Sequence, residues 1–463
     1  MSGAPILTAA QMRDAEQAAF DAGVDPYGLM ETAGAAAAEI IWRAGHRRET
    51  LILCGPGNNG GDGYVIARLL RARGVPVRVA ALGESRTESA RRARAAWDGA
   101  VEDMMTAAPA TQLVDALFGT GLARGLDADV AGRLGELAGA ATTCFAVDLP
   151  SGVETDGGAL LSPVPRFHVC ISLGAYKPAH LLHPAAGRIG RLVLADLGID
   201  VGSEVRRLDA PGFRAPDAAA HKYTRGLVAI IGGEMPGATM LASVAAAHSG
   251  AGSVRRLAED MPAAGPCAII NRQVERPEEI AGQLTDERIG ALLVGPGLGL
   301  DKEAEARLAV ALAAGHRLVL DADALTLIGR DDRLAIPAGA ILTPHEGEFT
   351  RLLGDLPGSK IERARAAARS CGAVVVYKGA DTVIAAPDGR ARVTDSASPW
   401  LSTAGTGDVL AGLAAGRLAV TGDPFRAACE AVWLHGEAAR RCGAAFIADD
   451  LLRALPAAIA ARL

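Results

Sequence analysis

The sequence predicts a two-domain α/β protein, and three observations support that prediction. The chain has 463 residues, more than a single hydrophobic core usually organises, so two domains of ordinary size are expected. Half of the residues are hydrophobic but only 4% are aromatic, which suits alanine-rich helices packed on valine and leucine strands. Short apolar runs alternate with helical periodicity in both halves, which predicts parallel sheets with helical crossovers.

The first half begins with helices and continues as alternating strands and helices. Apolar and alanine positions recur at helical spacing over residues 9–44 with a break at 23–26, which predicts two helices joined by a turn. A further helix is predicted from a glycine-rich turn to Leu70. The strands predicted in this half are 50–54, 75–81, 111–114, 143–147, 169–173 and 191–194.

A change of composition predicts where the first domain ends. Residues 205–220 are rich in Arg, Asp, Pro and Ala and have no apolar period, which is typical of a linker. We therefore predict domains over residues 1–208 and 209–463, each with a sheet between two layers of helices. The strands predicted in the second half are 226–231, 289–294, 317–321, 340–342, 374–377 and 382–385.

The charge and the cysteine content of the chain indicate which kinds of partner and which cellular compartment to expect. The formal net charge is -6, and no Lys/Arg run is interleaved with aromatics, which argues against nucleic-acid binding and favours small-molecule partners. The seven cysteines lie far apart without a CxxC pair, which argues against a disulfide framework or a zinc site. The first residues do not resemble a signal peptide, and no apolar run reaches membrane-spanning length, so we expect a cytoplasmic protein without a membrane partner.

A glycine-rich turn in the first half predicts a phosphate site. The segment GPGNNGGDG (55–63) follows a strand and opens a helix, so its backbone N–H groups can converge on an anion. Its GxGxxG pattern is by itself a weak sign of a dinucleotide fold, and the GK[ST] of a P-loop is absent. Asp62 beside a phosphate requires a cation or a hydrogen bond, and its alternative role is to cap the helix.

Two further strand ends carry acidic residues. Asp115 ends a strand before the glycine loop DALFGTGL (115–122), and DLPSG (148–152) repeats this arrangement with Asp148 and Ser151. The carboxyl ends of strands form the ligand crevice of an open parallel sheet. Asn59, Asp115 and Ser151 can supply hard oxygen ligands for an alkali or alkaline-earth cation. A lone Asp after a strand also fits a turn residue.

These motifs, together with GLMETAG (28–34), closely resemble the NAD(P)H-hydrate epimerase domain, and the likeness runs from about residue 7 to about residue 198. The resemblance implies a Rossmann-like fold, a catalytic Asp148 that contacts the reacting ring, and potassium bound by Asn59, Asp115 and Ser151. Lys177 matches a lysine of the family, and it also fits a solvated surface lysine. The resemblance implies that the hydrated nicotinamide nucleotide is bound by Asn58, Asn59, Gly60, Gly61, Asp62, Gly119, Thr120, Gly121, Leu122, Ala123, Arg124, Gly125 and Asp148.

The second half contains its own phosphate site. In STAGTGDVLAG (402–412) a glycine turn opens a helix, so residues 405–407 can donate N–H groups to a phosphate. Asp408 then sits where a carboxylate can take a proton from an attacking hydroxyl. GTGD resembles the anion hole of ribokinase-like enzymes. The alternative is a simple helix cap.

A series of further motifs separates this half from an ordinary sugar kinase. HK (221–222), GGE (232–234), GPGLG (295–299), DADAL (321–325), TPHEGE (343–348) and KGADT (378–382) occur in one order that closely resembles the NAD(P)H-hydrate dehydratase domain. The resemblance covers about residues 221–463, with Ala404 standing where the family commonly has Gly. It implies a substrate site of Ala238, Gly297, His345 and the catalytic Asp408, and a nucleotide site of Lys378, Gly379, Ala380, Asp381, Thr382 and Gly407.

Some of these residues also have structural interpretations. His345 taken alone fits a structural histidine, and His180 and His183 do not make a metal pair without a third ligand. Asp321 and Asp323 fit either a site for magnesium-bound phosphate or the end of a strand.

The two resemblances together imply a bifunctional enzyme that repairs hydrated NADH and NADPH. The first domain would interconvert the R and S hydrates with a potassium ion bound. The second would dehydrate the S form with magnesium and ADP, giving AMP and phosphate, where ADP is favoured over ATP by analogy only. The family likeness also implies a homo-oligomer. Alternatives remain: a kinase for a small hydroxyl-bearing vitamin or sugar in the second half, a silent nucleotide-binding module in the first, and, less well supported, a dehydrogenase.

Overall fold

The computed structural model describes residues 3–262, 265–331, 333–395 and 397–463. It contains two compact units, Ala4–Val205 and Arg206–Leu463, the second of which also includes Gly3, and two separate sheets. The predicted α/β class with two tandem domains is therefore confirmed. None of the helices that the structure describes combines the length and hydropathy needed to cross a bilayer.

The amino-terminal unit is a parallel sheet with helices on both faces. Its strands are β1 (Thr50–Cys54), β2 (Val77–Ala81), β3 (Val101–Asp103), β4 (Gln112–Ala116), β5 (Thr143–Val147), β6 (Phe167–Leu173) and β7 (Ile189–Ala195). Its helices are α1 (Ala9–Asp21), α2 (Pro26–Gly45), α3 (Asn58–Ala72), α4 (Glu88–Ala95) and α5 (Ala128–Ala140), with 3₁₀ turns at Pro178–His180 and Ala185–Arg188. The strand order β3-β2-β1-β4-β5-β6-β7 is that of a Rossmann-like sheet with a seventh strand.

Local sequence explains the paired helices at the start of this unit. Thr8 caps α1 in a capping box with Gln11, and Asp25 caps α2, whose first residue is Pro26. The predicted break at 23–26 is thus the turn between them. In β1, alternate residues enter different core clusters: Ile52 and Cys54 pack with α2 and α3, and residues 51 and 53 pack on the other face. This alternation gives the three predicted layers.

The carboxy-terminal unit has a larger sheet with an antiparallel edge. Its strands are β8 (Val205–Arg207), β9 (Leu227–Ile231), β10 (Ser253–Ala258), β11 (Ile269–Gln273), β12 (Ile289–Val294), β13 (Leu318–Leu320), β14 (Ile341–Leu342), β15 (Val374–Tyr377), β16 (Val383–Ala385) and β17 (Ala391–Val393). Its helices are α6 (Pro236–His248), α7 (Pro277–Gln283), α8 (Lys302–Ala313), α9 (Ala322–Ile328), α10 (Glu346–Leu353), α11 (Lys360–Cys371), α12 (Thr406–Thr421), α13 (Pro424–Cys442) and α14 (Ala448–Ala460), with a 3₁₀ turn at Pro399–Leu401.

The strands of this sheet run in the order β11-β10-β9-β12-β13-β14-β15-β16-β17-β8. Pairing is parallel from β11 to β15 and antiparallel from β15 to β17. Helices α6, α12, α13 and α14 share one core cluster with inward residues of β9 and β12. The sequence did not predict the short or arginine-bearing strands β3, β8, β10, β11 and β17, and β8 lies inside the predicted linker.

Candidate active sites

In the amino-terminal unit, the predicted site lies where the direction of the strand order changes, between β1 and β4. Ligands of open α/β sheets bind in the crevice beyond the carboxyl ends of such strands. The GPGNNGGDG turn follows β1 and the DALFGTGL loop follows β4, so both flank this crevice. Helix α3 begins at Asn58 with Gly57 as its N-cap. Asp62 lies beyond the first turn, so its alternative interpretation as the helix cap is wrong.

Asp148 and Lys177 form a buried ion pair at the end of β5. The Lys177 Nζ lies 2.5 Å from Asp148 Oδ1 and also donates to the Leu173 carbonyl at 2.8 Å. Thr120 N–H donates to the other carboxylate oxygen at 3.3 Å. Lys177 is only 1% exposed, so its interpretation as a solvated lysine is wrong. The pair fixes both side chains at the edge of the crevice.

Two more carboxyl groups face this ion pair. Burial raises the pKa of Asp62 well above its usual value, and the charges of Asp148 and Glu16 act in the same direction. Burial and Asp148 likewise raise the pKa of Glu16, which comes from α1. Glu16 was not predicted as a site residue, because an acidic residue on an amphipathic helix normally faces solvent. The site therefore combines one buried lysine with three carboxyl groups.

Gly119 lies between two of the predicted site residues. A β-carbon on Gly119 would be 2.8 Å from Asp148 Oδ2 and 3.4 Å from Asn59 Oδ1. The structure thus brings together Asn59, Gly119, Thr120 and Asp148, four of the predicted site residues. Gly121 has open space around its α-carbon, and Gly125 packs against the Leu161 carbonyl.

The other predicted epimerase residues lie around this centre. Asn58 accepts a hydrogen bond from Thr87 at 2.5 Å. Ala123 and Arg124 are exposed, and Leu122 is half-buried. Gly60 approaches the backbone of Gly55, and Gly61 approaches Met30. These residues line the turn and loop but do not contact Asp148 directly in the structure.

The predicted cation ligands Asp115 and Ser151 are in direct contact. Ser151 donates to Asp115 through its hydroxyl at 2.7 Å and through its backbone N–H at 2.9 Å. Leu117 N–H donates at 3.1 Å. Burial raises the pKa of Asp115 to about 6, although these hydrogen bonds lower it, and no basic group contributes. Asn59 Nδ2 is buried without a partner among the described residues. A buried carboxylate without a cationic partner suits a cation site. Asn59 would serve such a site through its Oδ1, because its unpaired Nδ2 is a hydrogen-bond donor.

In the carboxy-terminal unit, the predicted residues again lie beyond the carboxyl ends of parallel strands. The strand order changes direction between β9 and β12. There, a β-carbon on Gly297 would be 3.1 Å from the Ala238 Cβ, so these two predicted substrate residues are adjacent. Farther along the sheet, Asp321, Thr343 and Lys378 follow β13, β14 and β15.

Asp408 lies in the first turn of α12. Gly405, in the left-handed region at φ 87°, is the N-cap, and no side chain caps this helix, so Asp408 is not a helix cap. Burial raises the pKa of Asp408 to about 6, Asp321 and Asp323 act in the same direction, and Lys378 opposes them. Among the described residues, no group hydrogen-bonds to its carboxylate. The result is a partly buried, unpaired carboxylate at the positive end of a helix.

Lys378 is the positive centre of this site. Its Nζ lies 2.8 Å from Asp321 Oδ1 and 3.7 Å from Glu348 Oε2, and 3.8 Å from where a β-carbon on Gly407 would stand. Burial lowers the pKa of Lys378, but Asp321 and Glu348 outweigh burial and the pKa is raised. Thr343 donates to Asp321 at 2.7 Å. Lys378 therefore stays charged beside the anion hole.

The remaining predicted residues occupy the rim. His345 caps α10, its Nδ1 accepting from Gly347 N–H at 3.0 Å, and its side chain is exposed. Within KGADT, Thr382 bonds to Gly379, Asp381 pairs with Lys360 at 2.6 Å, and Ala380 is exposed. Asp323 accepts from Gly299 N–H at 2.9 Å. Lys360 and Glu348 were not predicted as site residues, because their positions depend on how α11 and α10 pack.

These features define a two-domain α/β protein with a cluster of predicted site residues beyond the carboxyl ends of the parallel strands in each unit. Two family models match the chain: "YjeF-related protein N-terminus" over residues 26–179, and "NAD(P)H-hydrate dehydratase" over residues 228–459. The matches fall in the two halves where the motifs predicted an epimerase and a dehydratase domain.

Curated relatives match nearly the whole chain. The bifunctional NAD(P)H-hydrate repair enzyme Nnr of Thermosynechococcus vestitus is 33% identical over 94% of this chain and 92% of its own. The enzyme of the same name from Moorella thermoacetica is 35% identical over 97% and 96%. The chain belongs to the family of bifunctional NAD(P)H-hydrate repair enzymes, which confirms the resemblance drawn from the motifs.

Among solved structures, the chain is similar to the ADP/ATP-dependent NAD(P)H-hydrate dehydratase from Bacillus subtilis, which was co-crystallised with ATP and Mg²⁺. The identity is 30%, the TM-score is 0.48, and the match covers 54% of this chain and 95% of that one.

Proposed function

We propose that the two units catalyse successive steps in the repair of hydrated NAD(P)H. Residues 1–208 interconvert the R and S hydrates at the ring carbon that bears the hydroxyl. Residues 209–463 dehydrate the S form at the expense of ADP, giving AMP, phosphate and NAD(P)H. One observation carries the proposal: the carboxylate of each expected motif, Asp148 or Asp408, lies with other charged side chains beyond the carboxyl ends of the parallel strands of its unit.

In the dehydratase site, Asp408 takes the proton of the hydrate hydroxyl. The hydroxyl oxygen then bonds to the terminal phosphorus of ADP while the bond to the bridging oxygen breaks, and AMP leaves. The N–H groups at the start of α12 and the charged Lys378 stabilise the phosphoryl oxygens. Phosphate next leaves the ring carbon and the neighbouring carbon loses a proton, which restores the dihydronicotinamide. A base with a pKa of about 6 suits this proton transfer near neutral pH.

A nucleotide bound in this site would be accompanied by magnesium, which would offset the negative charge of its phosphates. Asp321 and Asp323 are the carboxylates that raise the pKa of Asp408, and they are the oxygen ligands available to that ion. Among the described residues, no group of three His, Cys, Asp or Glu side chains is placed to hold a metal ion. Lys378, Gly379, Ala380, Asp381, Thr382 and Gly407 are proposed to hold the nucleotide, and Ala238, Gly297 and His345 the hydrate.

In the epimerase site, we propose that the hydrate hydroxyl is lost and regained. A protonated Asp62 gives its proton to the hydroxyl, water leaves, and the ring nitrogen forms an iminium cation. Water then adds to either face of the ring and returns a proton. Asp148, held in place by Lys177, and Glu16 place negative charge near the cation and stabilise it.

A potassium ion bound by Asn59, Asp115 and Ser151 completes this proposal. The ion would supply the positive charge that the buried Asp115 lacks and would fix the loop that carries Gly119. Replacing potassium by choline should slow epimerisation and lower the thermal transition of the amino-terminal unit. The dehydratase activity of the same chain, measured on purified S hydrate, is the control.

Compartment and assembly belong to the same proposal. All seven cysteines are free thiols, which supports a protein that works in the reducing cytoplasm. The family likeness supports a homo-oligomer, which light scattering coupled to size-exclusion chromatography would test.

The proposed function is tested by the recovery of dihydronicotinamide absorbance when the protein meets a mixed NADH-hydrate preparation with magnesium and potassium. Complete recovery that requires ADP or ATP is the expected result, and comparison of the two nucleotides identifies the donor. Accumulation of a stable phosphorylated product would instead make the second unit a kinase. Recovery that stops at the S fraction would make the first unit a silent nucleotide-binding module.

A further inference from the structure

A buried histidine of the amino-terminal unit contacts both members of the Asp148–Lys177 ion pair through the backbone. The His180 Nδ1 accepts a hydrogen bond from Lys177 N–H at 2.8 Å. Its Nε2 lies 2.6 Å from the Asp148 carbonyl oxygen. His180 is 3% exposed, and the edge of its ring meets Tyr176 at a centroid distance of 6.1 Å. One imidazole ring therefore joins the end of β5 to the segment that follows β6.

These two contacts fix the tautomer of the ring. Because Nδ1 accepts, the proton of a neutral imidazole is on Nε2, which donates to the Asp148 carbonyl. Burial lowers the pKa of His180 to about 4, and the charge of Lys177 acts in the same direction. His180 is thus neutral across the pH range in which the enzyme is assayed, and its geometry does not change with pH in that range.

The Asp148 backbone needs such support. Its φ of 63° lies in the left-handed region, which is unfavourable for a residue other than glycine and persists only where neighbouring groups hold it. Asp148 N–H donates to the Ile171 carbonyl at 2.7 Å, and His180 holds the carbonyl on the other side of the residue. The direction in which the Asp148 carboxylate points depends on this conformation.

We propose that His180 is a positioning residue of the epimerase site, which sets the orientation of the Asp148–Lys177 pair by holding the backbone of both residues. The proposal rests on the proposed role of Asp148 at the reacting ring. His180 itself does not contact substrate. Its removal should therefore reduce the rate of the chemical step more than the affinity for the hydrate, because the phosphate turn and the loop after β4 still bind the nucleotide.

Two conservative variants separate the contacts of the ring. In His180→Gln the side-chain amide can reach the Nε2 position and donate to the Asp148 carbonyl. In His180→Asn the amide oxygen can reach the Nδ1 position and accept from Lys177 N–H. His180→Leu removes both hydrogen bonds. The matched control is His168→Gln, because His168 also accepts a backbone N–H, that of Cys144 at 3.0 Å, but lies near the opposite end of β6.

The experiment measures epimerase kcat and KM on separated hydrate isomers for these four variants of the full chain. The thermal transition of the amino-terminal unit checks that this unit is folded in each variant, and dehydratase activity on the S hydrate normalises for the amount of active chain. We expect kcat to fall about 100-fold in His180→Leu, as for a misplaced catalytic group, with KM changed less than about twofold. His180→Gln keeps the contact with the Asp148 backbone, whose φ is unfavourable, and should recover more than half of the lost activation free energy. His180→Asn keeps only the contact with Lys177 and should recover a smaller part, and His168→Gln should behave like the wild type.

Unchanged kcat in a folded His180→Leu would overturn the proposal. So would equal losses in His180→Gln and His180→Leu that follow the thermal transition of the amino-terminal unit, because that pattern shows a purely structural role. Absence of epimerase activity in the wild type is a different result, which would remove the proposed function rather than the positioning role alone.

Discussion

Each of the two units has a carboxylate beyond the carboxyl ends of its parallel strands, but the surroundings of the two carboxylates differ. Asp148 follows a strand of the amino-terminal sheet and is fixed by the ammonium of Lys177 and by Thr120 N–H. Asp408 lies at the start of α12 and accepts no hydrogen bond from the described residues, and burial raises its pKa to about 6. Its nearest positive partner, Lys378, is paired with Asp321 instead.

This difference shows that the chemical role of a carboxylate depends on the groups that surround it. A carboxylate held by a buried lysine is a fixed negative charge, suited to orienting a ring and stabilising a cation. A partly buried carboxylate without a partner has a raised pKa and is suited to accept a proton near neutral pH. The predictions below test whether each carboxylate depends on its own surroundings.

The largest effect is expected from Asp408→Asn. The amide cannot accept the hydroxyl proton, so dehydratase kcat should fall about 10²- to 10⁴-fold, the usual contribution of general base catalysis. Epimerase activity, measured by chromatography of the isomers, should be unchanged. Asp449→Asn, an exposed carboxylate in the first turn of α14, is the control and should keep both activities.

The next effect is expected from Lys177→Met, which leaves the Asp148 carboxylate buried without its counter-charge. Breaking a buried pair in this way costs about 3–5 kcal/mol. The amino-terminal unit should therefore unfold at a lower temperature and lose epimerase activity, while dehydratase activity persists. Arg43→Met breaks the exposed pair with Glu39 and should cost less than about 1 kcal/mol. Equal costs for the two variants would contradict the account of the buried pair.

A smaller effect is expected from Gly119→Ala. The added methyl would stand 2.8 Å from Asp148 Oδ2, so the carboxylate must move. A misplaced catalytic group can cost about 100-fold in kcat. Gly121→Ala, two residues along the same loop, meets nothing within 4 Å and should retain epimerase kcat. Loss of activity in both variants would show that the loop itself, rather than the place of Asp148, is sensitive.

The smallest effect is the pH dependence of the dehydratase. Asp408 must be ionised to accept a proton, and its raised pKa of about 6 means that activity is present above that pH and is lost below it. We expect kcat to fall about tenfold for each pH unit below 6. A profile measured on purified S hydrate that stays flat down to about pH 4.5, well below this pKa, would exclude Asp408 as the titrating base.

Much of the fold could be predicted from the sequence because it depends on local patterns of turn residues and apolar residues. Turn residues predict the break at 23–26, and the length of the apolar runs predicts the buried strands β1, β5 and β12. Strand β10 does not, because Ser253–Ala258 carries two arginines, and Arg256 is buried through contacts with Asp260 that only the folded chain supplies. Strand β8 lies among charged residues and forms only by pairing with β17 at the edge of the sheet.

In the candidate sites, too, some features could be predicted from the sequence and others could not. Asp148 and Asp408 could be found because strand ends and glycine turns mark ligand-facing positions. The pairing of Lys177 with Asp148, of Lys378 with Asp321 and of Lys360 with Asp381 could not, since these contacts join segments that meet only when the sheets form. Sequence motifs thus located the acids, while the structure supplied the charges that distinguish their roles.

The most direct test of this account compares Asp148→Asn with Asp408→Asn in the recovery of dihydronicotinamide absorbance from a mixed hydrate preparation with nucleotide, magnesium and potassium. The account predicts that Asp148→Asn recovers the S fraction quickly and then slows to the uncatalysed rate, whereas Asp408→Asn recovers nothing but still equilibrates the isomers. If one substitution abolishes both activities in a folded chain, or if Asp148→Asn recovers the full signal at the wild-type rate, the assignment of separate chemistry to the two carboxylates is wrong.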